Sequence, residues 1–305
     1  MEVWKYQYQY NDIYHAYCEL LGYNPSNVTR LEQVPFLPIV MFREHTIHTG
    51  EWMPETVFKS SGTTGSIQSQ HKMRHLQWYH RIAQKSFDHL FGNPAEYTWL
   101  GLLPSYMERP DSSLISMVHF FMQLNANDES HFFSTPNPEI IESLQRLKLK
   151  NQRTILIGVS FALLDLFETY KIPVWENLLI METGGMKGKR QELTRDELYA
   201  RIRENHADVR IASEYGMTEL TSQAYMKDDH FIPGPTMKVF TRDISDPLIL
   251  NGYQQRGAIN IIDLGNLDTC SFIATDDVGI SYSDHSFDVL GRIDQSDIRG
   301  CNLLY

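Results

Sequence analysis

The stretch TILIGVSFALLDLFETYKIPVWENLLIM, residues 154–181, decides the fold class of this chain. Its first six residues, Thr154–Val159, form a compact apolar run that predicts a buried strand. The pattern then predicts an apolar helix over Phe161–Tyr170 and a further strand over Leu178–Met181. A strand, a helix and a strand in this order indicate a parallel βαβ unit.

Elements of the same kind lie on both sides of this unit. Further strands are predicted over Tyr97–Leu103, which Pro104 ends, and over Val209–Ser213. The other predicted helices are Asp12–Leu21, His71–Phe91, Ser112–Leu124, Glu139–Leu149 and a helix that starts at the capping box of Thr194 and Glu197 and runs to about Asn205. Strands separated by helices predict an α/β fold with a doubly wound, mainly parallel sheet.

The residue pattern of the sequence changes after about Phe231. Short β-rich runs divided by Gly, Asp, Asn and Pro predict a small antiparallel sub-domain. These runs are Met237–Phe240, Ala258–Leu264, Ser271–Thr275 and Gly279–Tyr282. We therefore predict an α/β core over residues 1–235, a β-rich sub-domain over 236–291 and a short tail over 292–305.

Composition and charge exclude several classes of protein. The chain has 305 residues, of which 42% are hydrophobic and 21% charged, as in ordinary globular proteins. Its net charge of −11 argues against nucleic-acid binding, which needs clustered positive charge. Cys18, Cys270 and Cys301 are too few and too widely spaced for a disulfide framework or a zinc knuckle. Because the sequence shows neither a signal peptide nor a membrane-spanning run, we expect a cytoplasmic protein.

The most informative motif is the loop Ser61-Gly62-Thr63-Thr64-Gly65, which follows the short apolar stretch Thr56–Phe58. Glycines let the backbone approach a ligand closely, and N–H groups with hydroxyls can surround phosphate oxygens. No Gly-Lys-Ser/Thr follows at the spacing of a Walker loop, so a P-loop nucleotidase is disfavoured. Composition alone leaves an ordinary Ser/Gly surface loop as an equal alternative.

This loop resembles the phosphate-binding loop of the adenylate-forming superfamily, which includes acyl-CoA synthetases, luciferases and the adenylation domains of peptide synthetases. The run Glu214-Tyr215-Gly216-Met217-Thr218-Glu219 resembles the Tyr-Gly-x-Thr-Glu signature of the same superfamily. The resemblance implies that Tyr215 and Gly216 line the nucleotide site, that Thr218 contacts the adenylate phosphate, and that Glu219 binds Mg²⁺. In isolation, Thr218 could instead be the N-cap of a helix.

Three more segments resemble superfamily elements in the expected order. Thr275-Asp276-Asp277-Val278-Gly279 is similar to the Thr-Gly-Asp element, which implies that Asp277 holds the ribose hydroxyls, although Asp276 replaces the usual glycine. Gly291-Arg292-Ile293-Asp294 is similar to the Gly-Arg-x-Asp element, which implies a ribose contact for Arg292 and a hinge at Asp294. Glu182-Thr183-Gly184-Gly185 lies where the superfamily places glycines against the adenine, so Gly184 and Gly185 are candidates there, with a plain turn as the alternative.

The chain ends shortly after Asp294, where the superfamily continues into a lid domain with a catalytic lysine. The resemblance therefore implies only the large N-terminal domain of these enzymes, without the lid. The missing lid narrows the resemblance to the acyl-protein synthetases of bacterial bioluminescence, which are components of a fatty-acid reductase complex. Three runs support the same narrowing: Val34-Pro35-Phe36-Leu37-Pro38, Gly101-Leu102-Leu103-Pro104-Ser105-Tyr106 and the ending Ile298-Arg299-Gly300-Cys301. This resemblance implies that Cys301 accepts the acyl group; an ordinary packed cysteine is the alternative.

The expected function is therefore the ATP- and Mg²⁺-dependent activation of a carboxylic, fatty acid as acyl-AMP, with transfer to a thiol. The expected partners are the acid itself and an acyl reductase or a carrier protein. Alternatives are a ligase that uses coenzyme A or a carrier protein, and a non-catalytic nucleotide-binding scaffold. His71 and His75 lie four residues apart on a predicted helix and form a candidate metal site, for which a basic exposed helix face is the favoured alternative.

Overall fold

The computed structural model describes residues 1–61, 67–104, 109–125, 128–184, 193–204 and 206–293. The chain divides into two compact units. Unit 1 comprises Met1–Ser86, Met217–Ala224 and the chain from Asp228 onward, and unit 2 comprises Phe87–Gly216 and Tyr225–Lys227.

The helices and strands alternate along the middle of the chain. The α-helices are α1 Glu2–Tyr10, α2 Asp12–Leu20, α3 Met41–Glu44, α4 Leu76–Phe91, α5 Ser113–Leu124, α6 Pro138–Leu149, α7 Ser160–Thr169 and α8 Arg195–Arg203. The strands are β1 Leu37–Pro38, β2 Thr56–Lys59, β3 Gln70–Met73, β4 Thr98–Leu102, β5 His131–Phe133, β6 Thr154–Val159, β7 Leu178–Thr183, β8 Arg210–Tyr215, β9 Ala224–Lys227, β10 His230–Pro233, β11 Met237–Arg242, β12 Arg256–Asp263, β13 Phe272–Ser281 and β14 Phe287–Arg292. Across the described ranges, no helix is long and apolar enough to cross a membrane.

Unit 2 contains the predicted parallel sheet, in the strand order β5-β4-β6-β7-β8. The order reverses between β4 and β6, as it does in doubly wound folds. Gly158 lies at this reversal, and a Cβ there would meet the Leu163 side chain at 2.9 Å and Leu102 O at 3.0 Å. The α/β prediction is therefore confirmed, and ligands of such folds bind outside the carboxyl ends of the strands.

The core of unit 2 explains the apolar runs in the sequence. Every residue of β4, β6 and β7 is buried, because helices cover a parallel sheet on both faces. Helix α6 begins with Asn137 as the N-cap and Pro138 in the first turn. The capping box of Thr194 and Glu197 opens α8, as predicted.

Unit 1 contains an antiparallel sheet in the order β11-β12-β13-β14-β10, with β1 parallel to β13. The antiparallel character of the C-terminal region is thus confirmed. The prediction of separate strands over Ser271–Thr275 and Gly279–Tyr282 is wrong, since β13 runs unbroken through both. The pairing of β13 with β14 shifts in register between Val278 and Gly279, which is the mark of a β-bulge or a similar irregularity. A Cβ on Gly279 would lie 2.0 Å from Asp288 O, so only glycine fits this close approach.

The predicted helix His71–Phe91 is wrong in its first turn. Residues Gln70–Met73 form β3, which pairs with β2 in an antiparallel hairpin, and the helix begins at Leu76. His71 and Met73 are buried while Gln70 is exposed, which is the alternation of a strand. The helical pattern of the following residues concealed this short strand.

The two compact units do not follow the predicted boundary at residue 235. Unit 1 takes residues from both ends of the chain, and unit 2 is inserted between them. The division into an adenylation core, a β-rich sub-domain and a tail stays a prediction about function. Its last segment, 292–305, falls largely outside the described residues.

Candidate active site

Strands β2 and β3 pair in an antiparallel hairpin, and the sequence between them contains the predicted serine-glycine loop. At the base of the loop, Ser60 N donates to Ser69 O at 3.0 Å, and Ser69 N donates to Ser60 Oγ at 3.0 Å. Ser61 is exposed at the start of the loop. The remaining predicted residues of the loop, Gly62, Thr63, Thr64 and Gly65, lie outside the described residues.

Thr218 and Glu219 lie in the part of unit 1 that follows β8 in the chain. Glu219 is only 6% exposed, and burial raises the pKa of its carboxyl group. A hydrogen bond with the Ser69 side chain opposes that rise in pKa. The charges of Arg292 and Asp277 also act on Glu219, with opposite signs. Glu219 is therefore a buried carboxyl group near both predicted ribose-binding residues.

The backbone of Thr218 and Glu219 is held by side chains from distant parts of unit 1. His71 donates from Nδ1 to Thr218 O at 2.8 Å and accepts at Nε2 from Thr269 Oγ1 at 3.0 Å. Asn266 Nδ2 donates to Glu219 O at 2.7 Å. Burial lowers the pKa of His71 to about 4, so its imidazole is neutral near pH 7.

Asp263, at the end of β12, holds the residues that follow Glu219. Its buried carboxylate accepts from Thr221 N and Ser222 N, both at 2.8 Å, and from Gly265 N at 2.9 Å. Asn266 Oδ1 also accepts from Thr221 N, at 2.9 Å. Burial raises the pKa of Asp263, and the hydrogen bonds from these donors oppose the rise. The segment after Glu219 is thus fixed by backbone hydrogen bonds to one aspartate and one asparagine.

Asp277 and Arg292 lie opposite each other on β13 and β14. Arg292 Nε donates to Asp277 Oδ1 at 3.2 Å, while Asp277 is buried and Arg292 is largely exposed. Asp276 is exposed, because neighbouring side chains of a strand point to opposite faces. Asp277 is therefore the member of this aspartate pair that lies beside Arg292.

Arg242, a buried residue of β11, supports the strand that carries Asp277. Its guanidinium group donates to Ile259 O at 2.9 Å, Asn260 Oδ1 at 2.7 Å and Thr275 O at 2.8 Å. Thr275 Oγ1 in turn accepts from Asp277 N at 3.1 Å. Burial lowers the pKa of Arg242. The arginine thus acts as a backbone brace within the sheet of unit 1.

The predicted nucleotide residues of unit 2 lie at the carboxyl ends of β7 and β8. Gly184 directly follows Thr183 and has a φ of 71°, a conformation that favours glycine. Tyr215 is the last residue of β8 and is buried, and Gly216 after it is exposed. Gly185 lies outside the described residues. Both strand ends are where ligands of doubly wound folds bind.

Glu182 is a buried carboxyl group one residue before Thr183. It accepts from Ser160 Oγ at the start of α7 and from Ser213 Oγ at 2.8 Å. Tyr199 OH lies 2.9 Å from the same Ser213 Oγ. Burial raises the pKa of Glu182, and the two serine hydroxyls oppose the rise. The hydroxyl groups thus partly compensate the cost of burying this acid.

Glu214, the residue before Tyr215, is a second buried acid of unit 2. Its Oε2 accepts from Thr183 Oγ1, which joins the carboxyl ends of β7 and β8. Burial raises the pKa of Glu214 to about 7, the hydrogen bond from Thr183 opposes the rise, and the charge of Glu182 adds to it. Of the two buried acids of unit 2, Glu182 and Glu214, Glu214 therefore ionises near neutral pH.

The cysteines differ in what the structure describes. Cys301, the predicted acyl acceptor, lies outside the described residues. Cys18 and Cys270 are buried, and burial raises the pKa of each thiol to about 12. Both are packed and protonated near neutral pH, as expected of structural cysteines.

Sequence reasoning missed the residues that hold the site together: His71, Asp263, Asn266 and Arg242. Both ring nitrogens of His71 are hydrogen-bonded on a strand, so the favoured interpretation of an exposed helix face is wrong, and so is the candidate metal site with His75. In the part of the chain that the structure describes, no group of three His, Cys, Asp or Glu side chains could hold a metal ion. The alternation over Gln70–Met73 was the one signal that could have placed His71.

The chemistry of Glu219 nevertheless fits a shared Mg²⁺ site. Mg²⁺ is usually bound through one or two carboxylates together with substrate phosphates, rather than in an all-protein cage. Glu219 supplies one buried carboxylate oxygen donor of the hard type that Mg²⁺ prefers. Such a site needs no cluster of protein ligands.

Comparisons with known proteins show what the chain as a whole and its fold are similar to. No family model matches the chain. A curated relative, the long-chain-fatty-acid–luciferin-component ligase of Vibrio harveyi, is 24% identical over 98% of this chain and 84% of its own length. The similarity therefore extends over nearly the whole chain.

Solved structures of ligases share the fold. O-succinylbenzoate coenzyme A synthetase from Bacillus subtilis, in complex with AMP, has a TM-score of 0.56 and 17% identity over 80% of this chain and 50% of its own. A 2-hydroxyisobutyryl-CoA ligase, with its acyl-AMP and CoA bound, has a TM-score of 0.67 and 15% identity over 96% and 68%. The chain spans about half the length of the synthetase. The fold predicted from the resemblance to adenylate-forming enzymes is thus confirmed.

Proposed function

We propose that this protein is an adenylate-forming ligase that activates a long-chain carboxylic acid with ATP and passes the acyl group to a thiol. The observation that carries the proposal is the arrangement of Thr218 and Glu219. A buried carboxyl group lies beside the Ser60–Ser69 loop and near Asp277 and Arg292, and its backbone is anchored on two sides. The motifs that contain these residues resemble those to which adenylate-forming enzymes owe their contacts with the phosphates, Mg²⁺ and the ribose, which supports the proposal.

The first step joins the acid to the nucleotide. A carboxylate oxygen of the acid attacks the α-phosphorus of ATP, a new oxygen–phosphorus bond forms, and the bond to pyrophosphate breaks. The negative charges of the acid and the triphosphate repel each other, so the enzyme must position them and offset their charge. The hydroxyls and N–H groups of Ser61–Gly65, with Thr218, are the proposed donors to the phosphates.

The remaining nucleotide contacts are assigned to separate residues. Asp277 and Arg292 bind the ribose, and Gly184, Gly185, Tyr215 and Gly216 line the base and adenylate. Glu219 would hold Mg²⁺, which would neutralise phosphate charge when bound. The nucleotide-bound forms of the Bacillus subtilis synthetase, with AMP or with ATP and magnesium, support ATP and Mg²⁺ as the ligands.

The second step transfers the acyl group to sulfur. A thiolate attacks the acyl carbon, the thioester bond forms, and AMP leaves with the electron pair of the broken bond. We propose Cys301 as this thiol, because the run Ile298-Arg299-Gly300-Cys301 resembles that of the acyl-protein synthetases, and a thiol tethered to the enzyme has a high effective concentration. The buried state of Cys18 and Cys270 makes them unsuitable acceptors.

The acid and the partner follow from the Vibrio relative. That protein is named as a ligase of long-chain fatty acids and a luciferin component, and its similarity covers 98% of this chain. We therefore propose a long-chain fatty acid as the substrate and an acyl reductase or a carrier protein as the partner that receives the acyl group. A cytoplasmic location accords with ATP as a substrate.

Pyrophosphate exchange tests the function. Labelled pyrophosphate should enter ATP only when Mg²⁺ and a long-chain fatty acid are present, and Glu219→Gln should slow the exchange ~10²–10³-fold. Glu176→Gln, which changes an exposed glutamate of unit 2, is the matched control. ATP binding without exchange for any acid in a panel of short, long and aromatic acids would favour the non-catalytic scaffold instead.

A further inference from the structure

His71 has no part in the chemistry proposed for this enzyme, yet both of its ring nitrogens are hydrogen-bonded. It is buried on β3, in the hairpin that carries the serine-glycine loop. Its two ring nitrogens lie 2.8 Å from Thr218 O and 3.0 Å from Thr269 Oγ1. The three residues come from widely separated parts of the chain, and the imidazole is their common contact.

The two partners fix the tautomer of the ring. A carbonyl oxygen only accepts hydrogen bonds, so Nδ1 must carry the hydrogen that points to Thr218 O. In the neutral ring Nε2 is then the acceptor, and the Thr269 hydroxyl donates to it. His71 is therefore a neutral imidazole that donates through Nδ1.

The hairpin reaches the same short segment a second time. The side chain of Ser69, two residues before His71, opposes the burial-driven rise in the pKa of the Glu219 carboxyl group. Ser69 also closes the base of the loop through its two hydrogen bonds with Ser60. The β2–β3 hairpin thus contacts the backbone of Thr218 through His71, and its Ser69 influences the pKa of Glu219.

We propose that His71 is a positioning residue that locks Thr218 and Glu219 to the hairpin of the serine-glycine loop through its Nδ1–H group. This inference rests on the proposed function, because it treats Thr218 and Glu219 as residues of the nucleotide site. When ATP and Mg²⁺ are bound, the lock keeps the carboxylate of Glu219 in register with the phosphates. The Thr269 contact orients the ring so that Nδ1 faces the carbonyl.

Two substitutions separate this role from simple packing. Asn places an amide N–H near the position of Nδ1, whereas Gln extends to the position of Nε2, where its oxygen can accept from Thr269. His71→Asn should keep the bond to Thr218 O, and His71→Gln should lose it while keeping the bond to Thr269. His75→Gln, on the exposed neighbouring histidine, is the matched control.

Pyrophosphate exchange and hydrogen exchange measure the effect. We expect His71→Gln to lower kcat roughly 10- to 100-fold, the usual cost of one unsatisfied buried group, and to raise the Mg²⁺ concentration at half-maximal rate. His71→Asn should stay within about threefold of the wild type, since its bond to Thr218 is kept. Amides of 217–224 should exchange faster in His71→Gln than in His71→Asn, at equal Tm.

The outcomes are distinguishable from those for the function itself. If the wild type shows no exchange with any acid, the proposed function falls, and the hydrogen-exchange contrast still decides the role of His71. Equal rates and equal amide protection in the Asn and Gln variants would overturn the positioning role. Should both variants unfold, ¹⁵N NMR of the wild type decides, because an Nε2–H tautomer of His71 contradicts the proposed lock.

Discussion

Arg292 Nε donates to Asp277 Oδ1 at 3.2 Å across the β13–β14 pair, so the two residues predicted to bind the ribose form an ion pair with each other. Arg292 is largely exposed and Asp277 is buried, so solvent screens the charge of the arginine more than that of the aspartate. Arg292 therefore restrains the Asp277 carboxylate from the solvent side. This pairing gives the aspartate an orientation before any ribose hydroxyl reaches it.

The ion pair leads to a prediction about nucleotide affinity. Asp277→Ala should raise KM for ATP more than it lowers kcat, because a contact far from the α-phosphorus is made about equally in the ground and transition states. Asp276→Ala is the control, since its side chain is exposed beside the same strand position. Steady-state kinetics with ATP as the varied substrate measure both constants. A KM effect from Asp276→Ala alone would show that the assignment is displaced by one residue.

Glu219 should matter for the rate of the chemical step. Glu219→Gln removes the proposed anionic ligand of Mg²⁺ with almost no change in volume, so the fold should survive. The loss of such a contact typically costs ~10²–10³ in rate. Pyrophosphate exchange at saturating Mg²⁺, with circular dichroism to verify folding, measures this effect. Wild-type rates in the variant would contradict the assignment.

Glu214 should make stability depend on pH. Its pKa is raised to about 7 by burial, so the folded protein binds this proton more tightly than the unfolded chain does. The contribution of this bound proton to the free energy of unfolding is complete below the ordinary glutamate pKa of about 4.5. It is lost as the pH rises through the folded-state pKa of about 7. A shift of this size corresponds to about 3 kcal/mol.

Thermal unfolding of Glu214→Gln between pH 5 and pH 8 tests this relation. The Tm of the wild type should fall as the pH rises. The Tm of Glu214→Gln should fall less over the same pH range, because glutamine does not ionise. Glu176→Gln changes an exposed acid of the same unit and should leave the wild-type slope in place. A wild-type slope in the Glu214 variant as well would place the titration on another group.

Cys301 should retain the acyl group as a thioester. With radiolabelled fatty acid, ATP and Mg²⁺, the wild type should keep label that hydroxylamine removes after denaturation. Cys301→Ser should keep no such label but should still exchange pyrophosphate, since adenylation precedes transfer. If hydroxylamine-labile label persists in Cys301→Ser and disappears in a Cys18 or Cys270 variant, the acyl acceptor is that other cysteine and not Cys301. Free acyl-CoA formed on addition of coenzyme A, without protein labelling, would indicate a CoA ligase.

The parallel sheet was predictable from sequence because its strands are buried on both faces. The predicted bounds of Thr154–Val159 match those of β6, since a continuous apolar run of six residues before a helix is typical of a buried parallel strand. The strand over Gln70–Met73 was missed because four residues of mixed polarity carry little signal. Burial of His71 depends on its long-range contacts, which local periodicity does not contain.

The motifs indicated the candidate ligand-binding residues but not their supports. Glu219 and Asp277 were found because they lie in runs that resemble superfamily elements. Asp263 binds the backbone of Thr221, 42 residues away, and Arg242 binds that of Ile259, 17 residues away. A single sequence gives no sign of which buried polar residue meets which strand, so these braces emerge only from the fold.

The imidazole that joins Thr218 to Thr269 also sets the order in which the site can form. Its partners are 147 and 198 residues from it along the chain, so these contacts close long loops and their closure is entropically costly. The Asp277–Arg292 pair spans only 15 residues and can form within one hairpin. During synthesis the contact between His71 and Thr269 can form only after residue 269 has left the ribosome, so the hydrogen-bonded arrangement around Thr218 is completed late in folding.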